Sequence, residues 1–68
     1  MTVGELRRLP GWVAQYTRPN GDLKYWSSNK KWFTNVVNDI TVYKTKKEAS
    51  EVIKGQGTRC KAVRTSEV

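Results

Sequence analysis

The stretch WVAQYTRPNGDLKYWS, residues 12–27, decides the fold of this 68-residue chain. Within WVAQYT, the letters W, A and Y would share one face of a strand, and V, Q and T the other. A proline at a turn position is followed by Asn20-Gly21, which can adopt the positive φ angles of tight turns. Because the alternation resumes at residues 23–27, the stretch predicts a β-hairpin with its turn at residues 18–22.

Beyond the hairpin, the sequence predicts a third strand, a helix and a last strand. Alternation at residues 40–43 (ITVY) indicates the third strand. Thr45 and Glu48 have capping-box spacing, so we expect a helix from about residue 46 to residue 54, with Gly55 as its stop. Residues 59–65 have the alternation of a final strand. The prediction for residues 32–38 is ambiguous. The spacing of their apolar residues suits a helical turn, whereas their aromatic and β-branched content favours extended chain.

These elements predict one α+β domain over residues 1–68: a small antiparallel sheet, in the chain order β-β-β-α-β, with one helix packed on one face through Ala49, Val52 and Ile53. Residues 11–65 would form the sheet and helix, and the tail at 66–68 would fray. Residues 1–10 would hold a short helical turn, capped by Thr2, that docks on the rest. The face opposite the helix would need that turn, or a second copy of the chain in a homodimer, to cover it.

Charge gives the strongest indication of function. The chain has 13 Lys and Arg residues against six Asp and Glu, a net charge of +7, with no histidine and one cysteine. Such an excess predicts a negatively charged partner. Without histidine, a general base would have to be a strongly shifted carboxylate or lysine, and neither zinc-ligand spacing nor a phosphate-binding glycine motif is present. The sequence therefore predicts a non-enzymatic binding protein with no metal or cofactor.

The lone cysteine and the N-terminal residues indicate the compartment. Cys60 cannot form an internal disulfide, and with no histidine to activate it we expect a small buried hydrophobe rather than a nucleophile. A single cysteine suits a reducing cytosol. The N-terminus lacks the apolar region of a signal peptide, and no apolar run is long enough to cross a bilayer. We expect a cytoplasmic protein with no membrane partner.

The candidate binding residues are cations on strands and loops, together with one tryptophan. Four cations on the hairpin and the loop after it could converge on the uncovered sheet face and contact phosphates. They are Arg18, Lys24, Lys30 and Lys31. Lys46 and Lys47 are added because they stand at a helix N-terminus, where the helix dipole disfavours cations unless an anion lies nearby. Trp26 could stack on a base or fill a partner's pocket. The alternatives are ordinary solvated charge for the cations, and a core that takes all three tryptophans.

Part of the chain resembles a family of DNA-binding domains. The stretch RPNGD at residues 18–22, the aromatic strand after it and YKTKKEA at residues 43–49 look like the amino-terminal arm-type DNA-binding domain of phage and transposon integrases. That resemblance implies a three-stranded sheet followed by a helix, with the sheet inserted into the major groove of DNA. This chain departs from the pattern in a longer segment between the second and third strands and in a strand after the helix.

A second resemblance covers most of the chain. Tyr25-Trp26, Lys31-Trp32, the stretch DITVYKTKKEA at residues 39–49 and the short basic strand after it are similar to many small bacteriophage-encoded proteins. Those that are understood often bind a host polymerase, replication factor or defence enzyme, which implies the host bacterial cytosol as the location. The sequence thus predicts nucleic-acid binding through phosphate contacts. The alternative is a phage-encoded inhibitor of a host protein, bound at an acidic or DNA-binding surface.

Overall fold

Four antiparallel strands form one sheet in the computed structural model, which describes residues 2–55 and 59–68. The sheet has the order β3-β2-β1-β4, and its strands are β1 (Trp12–Thr17), β2 (Leu23–Ser27), β3 (Trp32–Thr34) and β4 (Cys60–Arg64). Helix α1 (Val3–Arg8) precedes β1, and helix α2 (Lys46–Val52) lies between β3 and β4 in the chain. Two single-turn 3-10 helices occur at Val37–Asp39 and Thr65–Glu67. The predicted α+β class is confirmed.

The predicted hairpin is present with the expected strands and turn. Tyr16 lies opposite Lys24, and Gln15 opposite Tyr25. The turn is closed by the Arg18 amide, which donates to the Asp22 carbonyl at 2.8 Å, and Gly21 has a φ of 93°. Glycine adopts that angle without the steric penalty of a Cβ atom, so the Asn-Gly signal identified the turn correctly.

The prediction of the third strand at residues 40–43 is wrong. The third strand is Trp32–Thr34, part of the segment that the sequence left undecided. Phe33 lies directly opposite Trp26 on β2, and such cross-strand aromatic pairs stabilise a sheet. Lys31, with a φ of 53°, occupies the left-handed region just before β3 and turns the chain back onto β2.

Residues 41–43 instead fill the gap where β1 and β2 diverge. Tyr43 forms an isolated bridge with Trp12, with hydrogen bonds of 2.7 Å and 2.8 Å between their backbones. The Thr41 amide donates to the Trp26 carbonyl on β2 at 3.1 Å. Because the segment divides its hydrogen bonds between two strands, it forms no continuous ladder with either of them.

The main hydrophobic cluster lies on the face of β1 that carries Val13 and Gln15. Val13, Tyr25 and Val63 are buried there, and three half-buried side chains pack against them: Ile40, Val42 and Val68. The Gln15 side-chain amide donates to the Tyr25 hydroxyl at 3.2 Å, which satisfies both polar groups within this layer. Val68, in the tail that was predicted to fray, therefore packs against this cluster.

Helix α2 covers part of the opposite face. It packs against β1 and β4, with Ala49 and Ile53 buried and Val52 half-buried. The Thr45 hydroxyl accepts from the Glu48 amide at 3.2 Å, so the predicted cap is present, although the helix ends at Val52 instead of residue 54. Because α2 lies over the β1–β4 side of the sheet, the β2–β3 side of this face remains open.

The N-terminal segment docks as predicted, against the other end of the chain. Thr2 caps α1 by accepting from the Glu5 amide at 3.2 Å, and Leu6 is fully buried. Helix α1 packs on the 3-10 helix at Thr65–Glu67. The Thr65 hydroxyl donates to the Leu9 carbonyl, and the Arg7 side chain donates to the Val68 carbonyl at 2.6 Å. Neither α1 nor α2 nor any other helix within residues 2–55 and 59–68 has the length and apolar character to cross a membrane.

Candidate functional site

Four aromatic side chains meet on the open part of the sheet. Phe33 lies at their centre, with ring centroids 5.1 Å from Tyr16, 5.3 Å from Trp26 and 6.5 Å from Trp32. The Trp26 and Trp32 rings both stand edge-on to Phe33, at interplanar angles of 71° and 65°. We call Tyr16, Trp26, Trp32 and Phe33 the aromatic platform. Edge-to-face pairs at these separations are favourable, so the four rings support one another in fixed orientations.

Strand register explains why three of these rings, those of Tyr16, Trp26 and Phe33, share a surface. Tyr16, Lys24 and Trp26 have side chains on the face of the sheet that also carries Ala14, and Phe33 is opposite Trp26. Trp32 lies opposite Ser27 at the start of the edge strand β3, where alternation assigns it to the other face, but it borders both platform hollows, and the residue is 71% exposed. The platform therefore consists of three half-buried rings and one that projects into solvent.

Platform residues line two shallow hollows, and cations line both. One, of about 300 Å³, lies beside Trp26, with Lys31 and Cys60 in its wall. The other, of about 280 Å³, has Arg18 and Lys24 in its wall. Tyr16, Trp32 and Phe33 border both hollows. Among the residues that the structure describes, no carboxylate lines either hollow, so the charged side chains in their walls are all positive.

The three platform cations have no acidic partner within the described chain. In residues 2–55 and 59–68 the one ion pair joins Lys30 to Asp39, with 3.2 Å between Nζ and Oδ2. We call Arg18, Lys24 and Lys31 the platform cations. Because their charges are not neutralised by a neighbouring carboxylate, they are available to an external anion.

The remaining predicted binding residues lie elsewhere. Lys30 belongs to the ion pair with Asp39 and lines neither hollow beside the platform. Lys46 lies over Trp12, with its Nζ 5.8 Å from the ring centroid, and the Arg64 guanidinium lies 5.4 Å from the same ring. A cation–π contact offsets the unfavourable helix dipole at Lys46 without any external anion. Lys47 is exposed on α2.

The cations gather on a different surface from the one expected. Arg18, Lys24 and Lys31 were predicted to converge on the sheet face opposite the helix. They converge instead on the same face as α2, because the helix is short and covers only the β1–β4 side. The alternative in which all three tryptophans belong to the core is also wrong, since Trp32 is largely exposed.

Cys60 and Tyr43 show how partial burial affects the titratable groups near the platform. Burial raises the pKa of the Cys60 thiol, which lies in the wall of the larger hollow. Cys60 is half-buried there, whereas the sequence predicted a buried residue. Burial also raises the pKa of Tyr43; the Trp26 side chain opposes this shift, and the Glu48 carboxylate adds to it. Neither shift generates a nucleophile at neutral pH, because both favour the protonated group.

Tyr16, Trp32 and Phe33 are the platform residues that the sequence prediction did not select. The adjacent aromatics in KKWF, residues 30–33, directly follow two cations and are the signal that could have found two of them. Their role depends on the pairing of β3 with β2, which the sequence did not specify.

No family model, curated protein or solved structure matches this chain.

Proposed function

We propose that this protein binds nucleic acid through the aromatic platform and the platform cations, and that it does so without catalysis. The observation that carries the proposal is the combination of an exposed Trp32, three supporting rings and the three platform cations around two hollows. Within the described part of the chain these cations have no ion-pair partner and the hollows have no carboxylate. Aromatic rings stack on base faces and cations bind phosphates, so this one surface can bind both the base and the phosphate of a nucleotide.

Charge beyond the platform supports the same proposal. The net charge of +7 creates a positive field over a molecule with principal extents of 29, 26 and 21 Å. At physiological salt the screening length is about 8 Å, so most of this field acts at close range. The distant cations would raise the rate of encounter, whereas Arg18, Lys24 and Lys31 would hold phosphates in the complex. The proposal implies a cytoplasmic protein, in a bacterial host if the chain is phage-encoded.

Salt dependence of binding tests the proposal. Affinity for a fluorescent oligonucleotide should fall with a log–log slope of about −0.9 per phosphate contacted in a duplex, or about −0.7 in a single strand. Arg18→Ala, Lys24→Ala and Lys31→Ala should each flatten that slope by up to about one unit.

The matched control is Lys61→Ala, because Lys61 is exposed and lies opposite Gln15, on the other face of the sheet. It removes the same charge and should change the slope much less than the platform variants. Absence of binding to duplex and to single strand at low salt, where electrostatic attraction is strongest, would refute the proposal.

A second candidate function is inhibition of a host protein. Exposed Trp32 next to Tyr16 and Arg18 favours it, because Trp, Tyr and Arg are the residues most enriched at the energetic centres of protein interfaces. Capture of partners from bacterial lysate, with and without nuclease, separates the two candidates. Partners that disappear on nuclease treatment support nucleic-acid binding, whereas one stoichiometric protein that remains supports inhibition.

A further inference from the structure

We propose that the nucleic acid on this surface is single-stranded, with an unpaired base stacked on the Trp32 ring. This inference rests on the proposed nucleic-acid function and specifies its ligand class. The first observation is the exposure of Trp32, at 71%, on a three-residue edge strand. Together with the three neighbouring rings, Trp32 forms a contiguous apolar surface that a flat partner ring can cover.

Trp32 is exposed but well supported. Its strand pairs with β2 at Ser27, which is fully buried, and its ring contacts Phe33 edge-on. A ring held in this way loses little conformational freedom when a ligand binds, so the free energy of stacking is retained. Base stacking on a protein aromatic contributes about 1–3 kcal/mol and needs only an accessible base face.

Accessible base faces distinguish a single strand from a duplex. In a duplex each base is covered on both faces by its neighbours, and exposing a face costs a few kcal/mol of unstacking. An unpaired strand presents its base faces without that cost. Since the platform offers aromatic faces and shallow hollows, single-stranded nucleic acid fits it better.

The placement of the cations agrees with a strand that passes over the ring. Trp32 borders two hollows; Arg18 and Lys24 line one of them, and Lys31 lines the other. A base on Trp32 would therefore have cations available to its phosphates in both hollows. The same cations disfavour a second copy of the chain as the occupant, because two copies would bring six like charges together.

Competition between single-stranded and duplex oligonucleotides tests the inference. The probes are an oligothymidine of about twelve nucleotides and a duplex of the same length, within the range of site sizes for single-strand binding. We expect the single strand to bind more tightly and to quench tryptophan fluorescence. Trp32→Ala should weaken single-strand binding by about 5- to 150-fold, the equivalent of one stacked base, with the salt slope unchanged.

Further measurements keep the test decisive. Trp32→Phe retains a stacking ring and should recover much of the lost affinity. Denaturant melts of both variants separate the two roles, because a structural role lowers the unfolding midpoint along with the affinity, whereas loss of stacking lowers the affinity alone. Quenching in the wild-type protein needs no variant at all, so the test survives if Trp32→Ala does not fold.

The outcomes separate this inference from the proposed function. Equal affinity for duplex and single strand, with no effect of Trp32→Ala on either, overturns the single-strand inference and leaves nucleic-acid binding standing. Failure to bind both probes overturns both. Sedimentation that shows a dimer dependent on Trp32 would overturn the inference by identifying the second copy as the occupant of this surface.

Discussion

Substitution of Gly11 by alanine should be among the most destabilising single changes in the chain. Gly11 lies immediately before β1, where residues 41–43 enter the gap between β1 and β2, and its φ is 140°. A Cβ atom there would lie 2.5 Å from the Tyr43 carbonyl oxygen and 2.8 Å from Cγ1 of Val42. The Tyr43 oxygen cannot move away freely, because it accepts the 2.8 Å hydrogen bond from the Trp12 amide.

The size of the effect follows from three contributions. A non-glycine residue at this φ costs about 1–3 kcal/mol, and overpacking against fixed neighbours costs about another 1–3 kcal/mol. Alanine also lowers the conformational entropy of the unfolded chain, which stabilises the folded state by about 0.4–1 kcal/mol. We therefore expect a loss of about 1–6 kcal/mol, centred near 3 kcal/mol. A domain of this size has a free energy of unfolding of about 3–10 kcal/mol, so the variant should lose a large fraction of its stability.

Gly21→Ala is the matched control. Gly21 also has a positive φ, 93°, but a Cβ atom there would meet nothing within 4 Å. It should lose only about 1–2 kcal/mol, from backbone strain less the entropic gain. Urea denaturation of both variants measures the difference, about 2 kcal/mol. Equal midpoints would show that residues 41–43 do not pack against Gly11, and the account of the β1–β2 gap would fail.

The remaining predictions concern the helix cap and the titratable groups. Thr45→Ala should lower the free energy of unfolding by about 1 kcal/mol in a denaturant melt, because the Glu48 amide loses its acceptor; an unchanged midpoint would contradict the cap. Cys60 should react slowly with a neutral alkylating reagent in the folded protein and quickly in denaturant, since burial raises its thiol pKa, and a bound oligonucleotide should slow it further because Cys60 lines the platform hollow. Both Cys60 and Tyr43 have folded-state pKa values above the unfolded ones, so their contribution to stability is complete at neutral pH and is lost as the pH rises beyond about 9–10. Melts at neutral and alkaline pH measure this loss, and a stability that rises with alkaline pH would contradict the assigned direction.

The parts of the fold that the sequence predicted correctly depend on local signals. The β1–β2 hairpin follows from residues 12–27 because strand alternation and turn chemistry are both contained in that stretch. The caps at Thr2 and Thr45 are likewise local, since each joins a side chain to an amide three residues away.

The errors arise where distant segments compete for the same place. Residues 40–43 have the alternation of a strand, yet β3 occupies the outer edge of β2 and leaves them only the gap beside Trp12. Alternation shows that a segment can be extended and does not show what it pairs with. The position of Val68 has a related explanation, because it packs on the cluster around Val13, a contact between residues far apart in the sequence that no local pattern indicates.

The candidate site was partly predictable. The platform cations and Trp26 were selected from the sequence because positive charge and exposed aromatics indicate nucleic-acid binding on their own. Tyr16 and Phe33 join them only through the register of three strands, which no local pattern specifies. Lys30 and Lys46 were selected by the same charge criterion, but an ion pair and a tryptophan ring within the protein account for their positions.

The three tryptophan indole N–H groups provide the most direct measurement of the central claim. Trp32 is exposed on the platform, Trp26 is half-buried within it, and Trp12 lies away from it between Lys46 and Arg64. Nuclear magnetic resonance resolves one indole signal for each during titration with the single-stranded oligothymidine. The account predicts the largest shift at Trp32, a smaller one at Trp26 and little change at Trp12. A shift confined to Trp12, with Trp32 unmoved, would place the binding surface elsewhere and contradict the account.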